Sequence, residues 1–276
     1  MPQGWEWDET LYGGSAKYYE RGRLPYPAEL ADRLASALAL DGTGRAIDVG
    51  CGPGIIALRV AHLFDEMVGI DADRHMLEQA ARRAVERGIT NTRWVEMRAE
   101  NLPGDLGRFR VATFAQSFHW MDRASVAEKV RAMLEPSGAF VQVNHWSIAG
   151  DPAPESPYPF PPDDAVQQLV RKYLGESRRA GHGVLPTSKL DDEPEVLRAA
   201  GFGEPERVPL PADEVVVSSV DDLVARCYSV SGSAPHLFGS RKEDFEQELR
   251  ALLNAASDSG KFAERVRNAE LVIWRR

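Results

Sequence analysis

Cysteine is scarce in this 276-residue chain: Cys51 and Cys227 are the only two, too few for a disulfide framework and in keeping with a reducing compartment. No apolar run reaches the ~18 residues that a membrane span needs. The opening MPQGWEWDET lacks the basic-then-apolar pattern of a secretory signal, so a cytoplasmic protein is expected. Basic charge is in deficit too. The net charge of −9 gives no overall field toward nucleic acid or anionic membranes, although one or two local arginines could hold an anionic small molecule. The histidines lack ligand spacing such as H-x-x-x-H, so no metal is expected. No internal repeat occurs, and compositional bias is confined to the proline run DPAPESPYPFPPDD.

What is present is a globular composition, 43% hydrophobic and 27% charged, long enough for one large α/β domain. Between residues 26 and 145 helical and strand patterns alternate, which argues for a parallel sheet with crossover helices. Helices are expected over 27–40, 54–64, 74–87 and 124–134, and strands over 45–50, 66–71, 92–97, 109–116 and 139–145. The proline run reads as a loop, and a helix resumes over 165–174. Beyond it, helices over 194–200, 220–230 and 241–256, a strand from 206 and a closing strand ELVIWRR are expected. Long insertions in compact α/β enzymes often serve as lids, and a surface insertion without a role is the competing reading for 150–190.

AIDVGCGPG carries Asp48, Gly50, Gly52 and Gly54 between a strand and a helix. Glycines at such a turn let a ligand approach the backbone. Asp71 closes the next strand about 20 residues later, where a carboxylate can accept both ribose hydroxyls of an adenosine-containing cofactor. A dinucleotide fingerprint would need a third glycine at position 55, which is Ile55, and Pro53 offers no N–H to a pyrophosphate. S-adenosylmethionine has no phosphate. It needs an open backbone for its amino-acid tail and an acid near its ammonium, a position Asp48 suits.

DVGCGPG, then GID, then RAENLP resembles the class I S-adenosylmethionine-dependent methyltransferases, over roughly half the chain. The resemblance implies a Rossmann-like, seven-stranded, mostly parallel sheet with helices on both faces and an antiparallel last strand. It implies a single domain: an arm over 1–27, a cofactor core over 28–149, a cap over 150–190 and substrate-side helices with the rest of the sheet over 191–276. Arm and insertion together would cap the cleft. The glycine loop, Cys51 included, would wrap the methionine moiety, with Asp71 and Ala72 at the ribose and Ala99 and Glu100 beside the adenine. Arg98 stands where many members carry an acid, so Glu100 or backbone is expected to meet the adenine amine. YERGRLPYP is similar to the Y-x-x-x-R-P-x-Y-P entry of the small-molecule branch that includes trans-aconitate methyltransferase. Leu24 replaces its usual proline. Tyr19 and Arg23 would then border the methionine carboxylate or the acceptor, with Tyr26 on the acceptor side, or simply anchor the arm.

The strands ending at Gly50, Asp71 and Gln116 would point at one crevice, and SFHWMD leaves the third of them through Ser117. His119, Trp120 and Asp122 match an H-W-x-D of the same branch. Three roles are open to His119: general base, acceptor positioning, or packing. Trp120 suits a wall and Asp122 a helix cap. His145, followed by Trp146, ends the fifth strand and is a second base candidate. The expected reaction is methyl transfer to a small molecule, on a carboxylate or hydroxyl oxygen, without a metal, nucleic acid or membrane partner and with the oligomeric state open. The alternatives are N- or C-methylation of a natural-product intermediate, or a nicotinamide-dependent reductase on the same fold.

Overall fold

A computed structural model describes residues 8–145, 147–177, 179–180, 183–184 and 192–276. Trp5, Trp7, Trp146 and His182, and with them much of 178–191, lie outside the described residues.

The apolar runs place themselves as the centre of a sheet. β1 (Arg45–Val49), β2 (Glu66–Asp71), β3 (Thr92–Glu96), β4 (Phe109–Phe114) and β5 (Leu134–Asn144) pair in parallel in the order β3-β2-β1-β4-β5. β1 is buried on both faces, as its unbroken apolar run requires. Numbered in chain order, the two-residue strand Asp151–Pro152 is β6 and Glu206–Leu210 is β7. Val215–Ser219 is β8, Lys261–Arg265 is β9 and Ala269–Arg275 is β10. β10 runs antiparallel to β5, and β7 pairs antiparallel on its far side, completing the seven-stranded α/β sheet.

Helices cover both faces. On one lie α2 (Leu30–Leu38) and α3 (Ile55–Val60), packed on Ala46, Met67, Val111 and Ile273. On the other lie α5 (Arg123–Met133) and α7 (Glu193–Ala199), packed on Ile47, Phe114, Phe140 and Trp274. α4 (Arg74–Glu86) is started by Asp73, whose carboxylate accepts the His75 N–H at 2.8 Å, and α5 by Asp122, which accepts the Ser125 N–H at 3.3 Å. No helix among the described residues is long and apolar enough to cross a membrane.

A third core joins α6 (Asp163–Leu174), α8 (Val220–Tyr228) and α9 (Lys242–Ala256) through Leu169, Val224, Tyr228, Phe238 and Phe245. The arm forms α1 (Ala16–Gly22), a helix its glycines and charges conceal, and packs on α8 so closely that a Cβ at Gly22 would meet the Ala225 carbonyl carbon at 2.5 Å. A second sheet, in the order β8-β9-β6, was likewise not expected from sequence. β8 is short, and β9 is charged at Lys261, Glu264 and Arg265, yet Glu264 is buried against Arg226 of α8. The proline run is mainly a loop, and β6 sits at the sheet's edge, where proline is tolerated. The helix expected over 27–40 starts at Leu30 because prolines at 25 and 27 hold the preceding chain extended.

Candidate active site

β1 and β4 are neighbours whose crossovers leave in opposite directions, which opens a crevice at their carboxyl ends. The turn after β1 crosses that crevice. Gly50, Gly52 and Gly54 all have left-handed φ, at 69°, 52° and 73°. Gly50 also passes so near the next element that a Cβ would lie 2.6 Å from Ser117 Cβ, whereas at Gly52 a Cβ would face open space. At Gly54 it would meet the ring of Trp94, 2.9 Å away, and the same indole lies across Gly69. Gly54 thus seats the loop on β3, and Gly52 offers bare backbone to the cleft.

Two adjoining chambers meet at this loop and share Tyr19, Gly50, Gly52 and Ala115. The first is a narrow cleft open to solvent. Its walls include Asp71, Ala72, Arg98, Ala99, Glu100, Gln116, Ser117 and Trp120, all expected at the site, and also Leu11, Tyr12, Met76, Met97 and Met121, which were not. Asp71 Oδ2 accepts the Gly52 N–H at 2.7 Å and Oδ1 accepts the Asp73 N–H at 2.8 Å, so the carboxylate is aimed by backbone at the end of β2. Loss of water raises its pKa to about 6, against those two stabilising bonds. Glu100 is similarly fixed. Oε1 accepts the Asp122 N–H at 3.0 Å and Oε2 lies 3.3 Å from Arg98 Nε. Ser117 Oγ donates to the Val49 carbonyl at 2.6 Å and ties the β4 exit to the β1 exit. Gln116 between them has φ of 56°, uncommon without glycine and placed at the chamber's rim.

The second chamber is roomier, also open to solvent, and carries several charged side chains in walls that are otherwise largely apolar. Asp48, Cys51, Arg23 and Tyr26 line it as expected. Asp48 is fully buried, and burial raises its pKa to about 7 although Thr113 Oγ1 donates to Oδ1 at 2.7 Å. Its Oδ2 has no hydrogen-bond partner. A buried carboxylate oxygen left bare beside an open glycine backbone fits a cationic ligand group. Burial also keeps the Cys51 thiol protonated. Arg23 lies over the Tyr19 ring, 4.6 Å to the centroid, and donates to the Ser229 carbonyl at 2.7 Å, while its buried Nε is unpartnered. Arg59, Arg83 and Arg87 complete a basic wall not singled out from sequence. Their signal was thin: arginines four apart on a charged helix read as a solvated face.

The two candidate bases sit elsewhere. His119 lies on the turn Phe118–Trp120, half-buried against Trp120 with ring centres 4.9 Å apart, and lines neither chamber. His145 is buried, its Nε2 3.1 Å from the Pro25 carbonyl oxygen and its ring 4.8 Å from Tyr26. Desolvation lowers its pKa to about 4, so it is neutral at pH 7 and holds the arm to the end of β5.

A methyltransferase domain profile matches residues 46–138, the segment from β1 to β5. The 27-O-demethylrifamycin SV methyltransferase of Amycolatopsis mediterranei is 30% identical over 203 residues, 72% of this chain and 68% of that one. The uncharacterised methyltransferase YcgJ of Bacillus subtilis is 28% identical over 54% of this chain and 57% of its own length, and Rv3342 of Mycobacterium tuberculosis is 30% identical over 46% and 49%. The chain thus spans about half the length of these last two relatives. The 2-heptyl-1-hydroxyquinolin-4(1H)-one methyltransferase of Mycobacteroides abscessus is 27% identical over 60% of this chain and 74% of that one. Among solved structures, YcgJ superposes with a TM-score of 0.50 at 21% identity, over 89% of this chain and 98% of that one, which shows a shared fold.

Proposed function

Because the chain belongs to the class I S-adenosylmethionine-dependent methyltransferases of the small-molecule type, we propose that it transfers a methyl group from S-adenosylmethionine to an oxygen of a small molecule. The observation that carries the reading is the pair of carboxylates on either side of an open glycine turn, Asp71 in one chamber and the half-bare Asp48 in the other. S-adenosylmethionine supplies an electrophilic methyl on a sulfonium, a leaving group that needs little further activation.

The chain's residues then bind and align. Asp71 holds the ribose hydroxyls, with Ala72 beside it. Ala99 and Glu100 flank the adenine, with Gln116 and Ser117 at the chamber's rim. Gly50, Cys51 and Gly52 leave room for the amino-acid tail, and Gly54 keeps the loop seated from behind. Asp48 Oδ2 receives the ammonium. Arg23, with Tyr19 stacked beneath it, faces the carboxylate. Tyr12, Tyr19 and Trp120 exclude water from the meeting point of the chambers, where alignment and desolvation are worth most. Trp120 and Tyr26 bound the acceptor's space. His119 acts behind Trp120 as a positioning group, and His145 secures the arm.

Oxygen as the methylated atom is supported by two relatives, one named for a missing O-methyl group and one for a hydroxyl-bearing acceptor. Pro53 beside the helix start weighs against the reductase reading. The test is calorimetry with S-adenosylhomocysteine and with NADH, followed by transfer of labelled methyl to a small-molecule panel. Binding of S-adenosylhomocysteine alone, with label in an oxygen acceptor, is the expected result. NADH binding, or label confined to nitrogen or carbon, would refute it.

A further inference from the structure

The second chamber carries more positive charge than the donor can use. Arg23, Arg59, Arg83 and Arg87 line it, and the lining carboxylates are Glu20 and Asp48. The excess stands out in a chain whose net charge is −9. Much of it is not neutralised by ion pairing. Arg59 donates to the carbonyls of Tyr26, Pro27 and Ala28 at 2.9 to 3.1 Å, neutral acceptors that do not cancel its charge; Glu214, outside the chamber's lining, is the carboxylate that acts on it. Arg83 is buried, donates to the Pro53 carbonyl at 2.6 Å and to Glu20 at 2.7 Å, and keeps a buried Nε without a partner. Arg87 shares that one Glu20 carboxylate, at 2.8 Å.

S-adenosylmethionine carries two positive groups and one negative group. A donor with net positive charge beside four guanidiniums is repelled unless a further anion is present, and the more so in a desolvated cleft. Arg23 suffices for the donor's own carboxylate. The charge that Arg59, Arg83 and Arg87 carry beyond Glu20 then has no counterion in the lining, on a wall continuous with the donor's chamber through Tyr19 and the glycine loop.

We propose that this arginine wall binds the methyl acceptor as an anion, a small organic acid whose carboxylate is drawn in by Arg59, Arg83 and Arg87. The inference rests on the methyltransferase reading above and names its acceptor class. It also fits the walls' chemistry. No histidine is among the described residues lining either chamber, and an oxygen acid that arrives ionised gives up no proton in the site.

The test is calorimetric and uses the protein saturated with S-adenosylhomocysteine. Cinnamate, decanoate and citrate are titrated against cinnamamide, decanamide and citramide. At least one acid is expected to bind about tenfold more tightly than its amide, with the advantage shrinking as salt rises. Arg87→Gln, chosen because its side chain is half-exposed and bonds only Glu20, should weaken the acid about threefold and leave the amide unchanged. Glu20→Gln frees both guanidiniums and should strengthen it by a similar factor. A residue that merely held the arm would weaken binding in both variants. The proposal is overturned if no acid binds more tightly than its amide, or if both variants shift acid affinity in the same direction. Failure of S-adenosylhomocysteine to bind in the preceding titration would instead refute the methyltransferase reading.

Discussion

The two chambers of the cleft share one loop and differ in the charge their walls present. The first is walled by Leu11, Met76, Met97, Met121 and alanines, with polar groups already fixed by backbone: Asp71 by two N–H groups and Glu100 by a third. The second adds four arginines, Glu20 and a carboxylate with an oxygen to spare to the apolar Leu24, Ile55 and Ile56. A flat apolar nucleoside is recognised by shape plus a few preset bonds, whereas a charged tail and a charged partner need compensation that completes itself only on binding. One side is finished before the ligand arrives; the other is finished by it.

That contrast can be broken experimentally. The largest effect belongs to Asp71→Ala, which removes a two-oxygen acceptor and should weaken S-adenosylhomocysteine about 100-fold by calorimetry. Retained affinity would mean that the first chamber works by shape alone. Next is Gly50→Ala, whose new Cβ meets Ser117 in a left-handed backbone and should lower stability by about 3 kcal/mol in urea unfolding.

Asp48 sharpens the comparison through pH. Its folded pKa of about 7 lies above the unfolded value, so its contribution to stability is present in acid and is lost as pH rises from about 4 through 7. Ligand binding runs the other way, because the ammonium needs the ionised form. Affinity for S-adenosylhomocysteine should therefore fall about tenfold per unit below pH 7. Asp48→Asn should flatten both slopes, and a wild-type affinity independent of pH between 5 and 8 would contradict the ammonium assignment. His145 has the opposite sign. Its folded pKa of about 4 is below the unfolded value, so stability is lost as pH falls from about 6.5 toward 4. His145→Gln should reduce that acid loss, read from thermal midpoints at pH 5 and 7. The smallest effect is expected for Arg98→Ala, whose half-exposed pairing with Glu100 should change donor affinity no more than about threefold.

The first chamber was also the more legible in the sequence. Strands β1 to β5, the glycine turn and Asp71 follow from apolar runs and turn residues, local features that the sheet merely assembles. Asp122 as a cap was legible for the same reason. The arginine wall was not, because Arg59, Arg83 and Arg87 acquire a shared face only when α3, α4 and the arm converge. Leu11 and Tyr12 reach the first chamber because α1 docks on α8, over 200 residues away in sequence. His145 was expected in the crevice because it ends β5. The arm passes just there, and the Pro25 carbonyl takes its ring nitrogen. The second sheet was hidden because its inward residue, Glu264, is charged and becomes acceptable in a core only once Arg226 is opposite.

Trp94 has a consequence for how sequences of this kind drift. Its indole fills the space that side chains at both Gly54 and Gly69 would take, but only Gly54 is also held to glycine by a left-handed φ. In an alignment of relatives, position 69 should therefore vary together with position 94. Chains with a small residue at 94 should carry alanine or serine at 69, while positions 52 and 54, both left-handed, should not follow them.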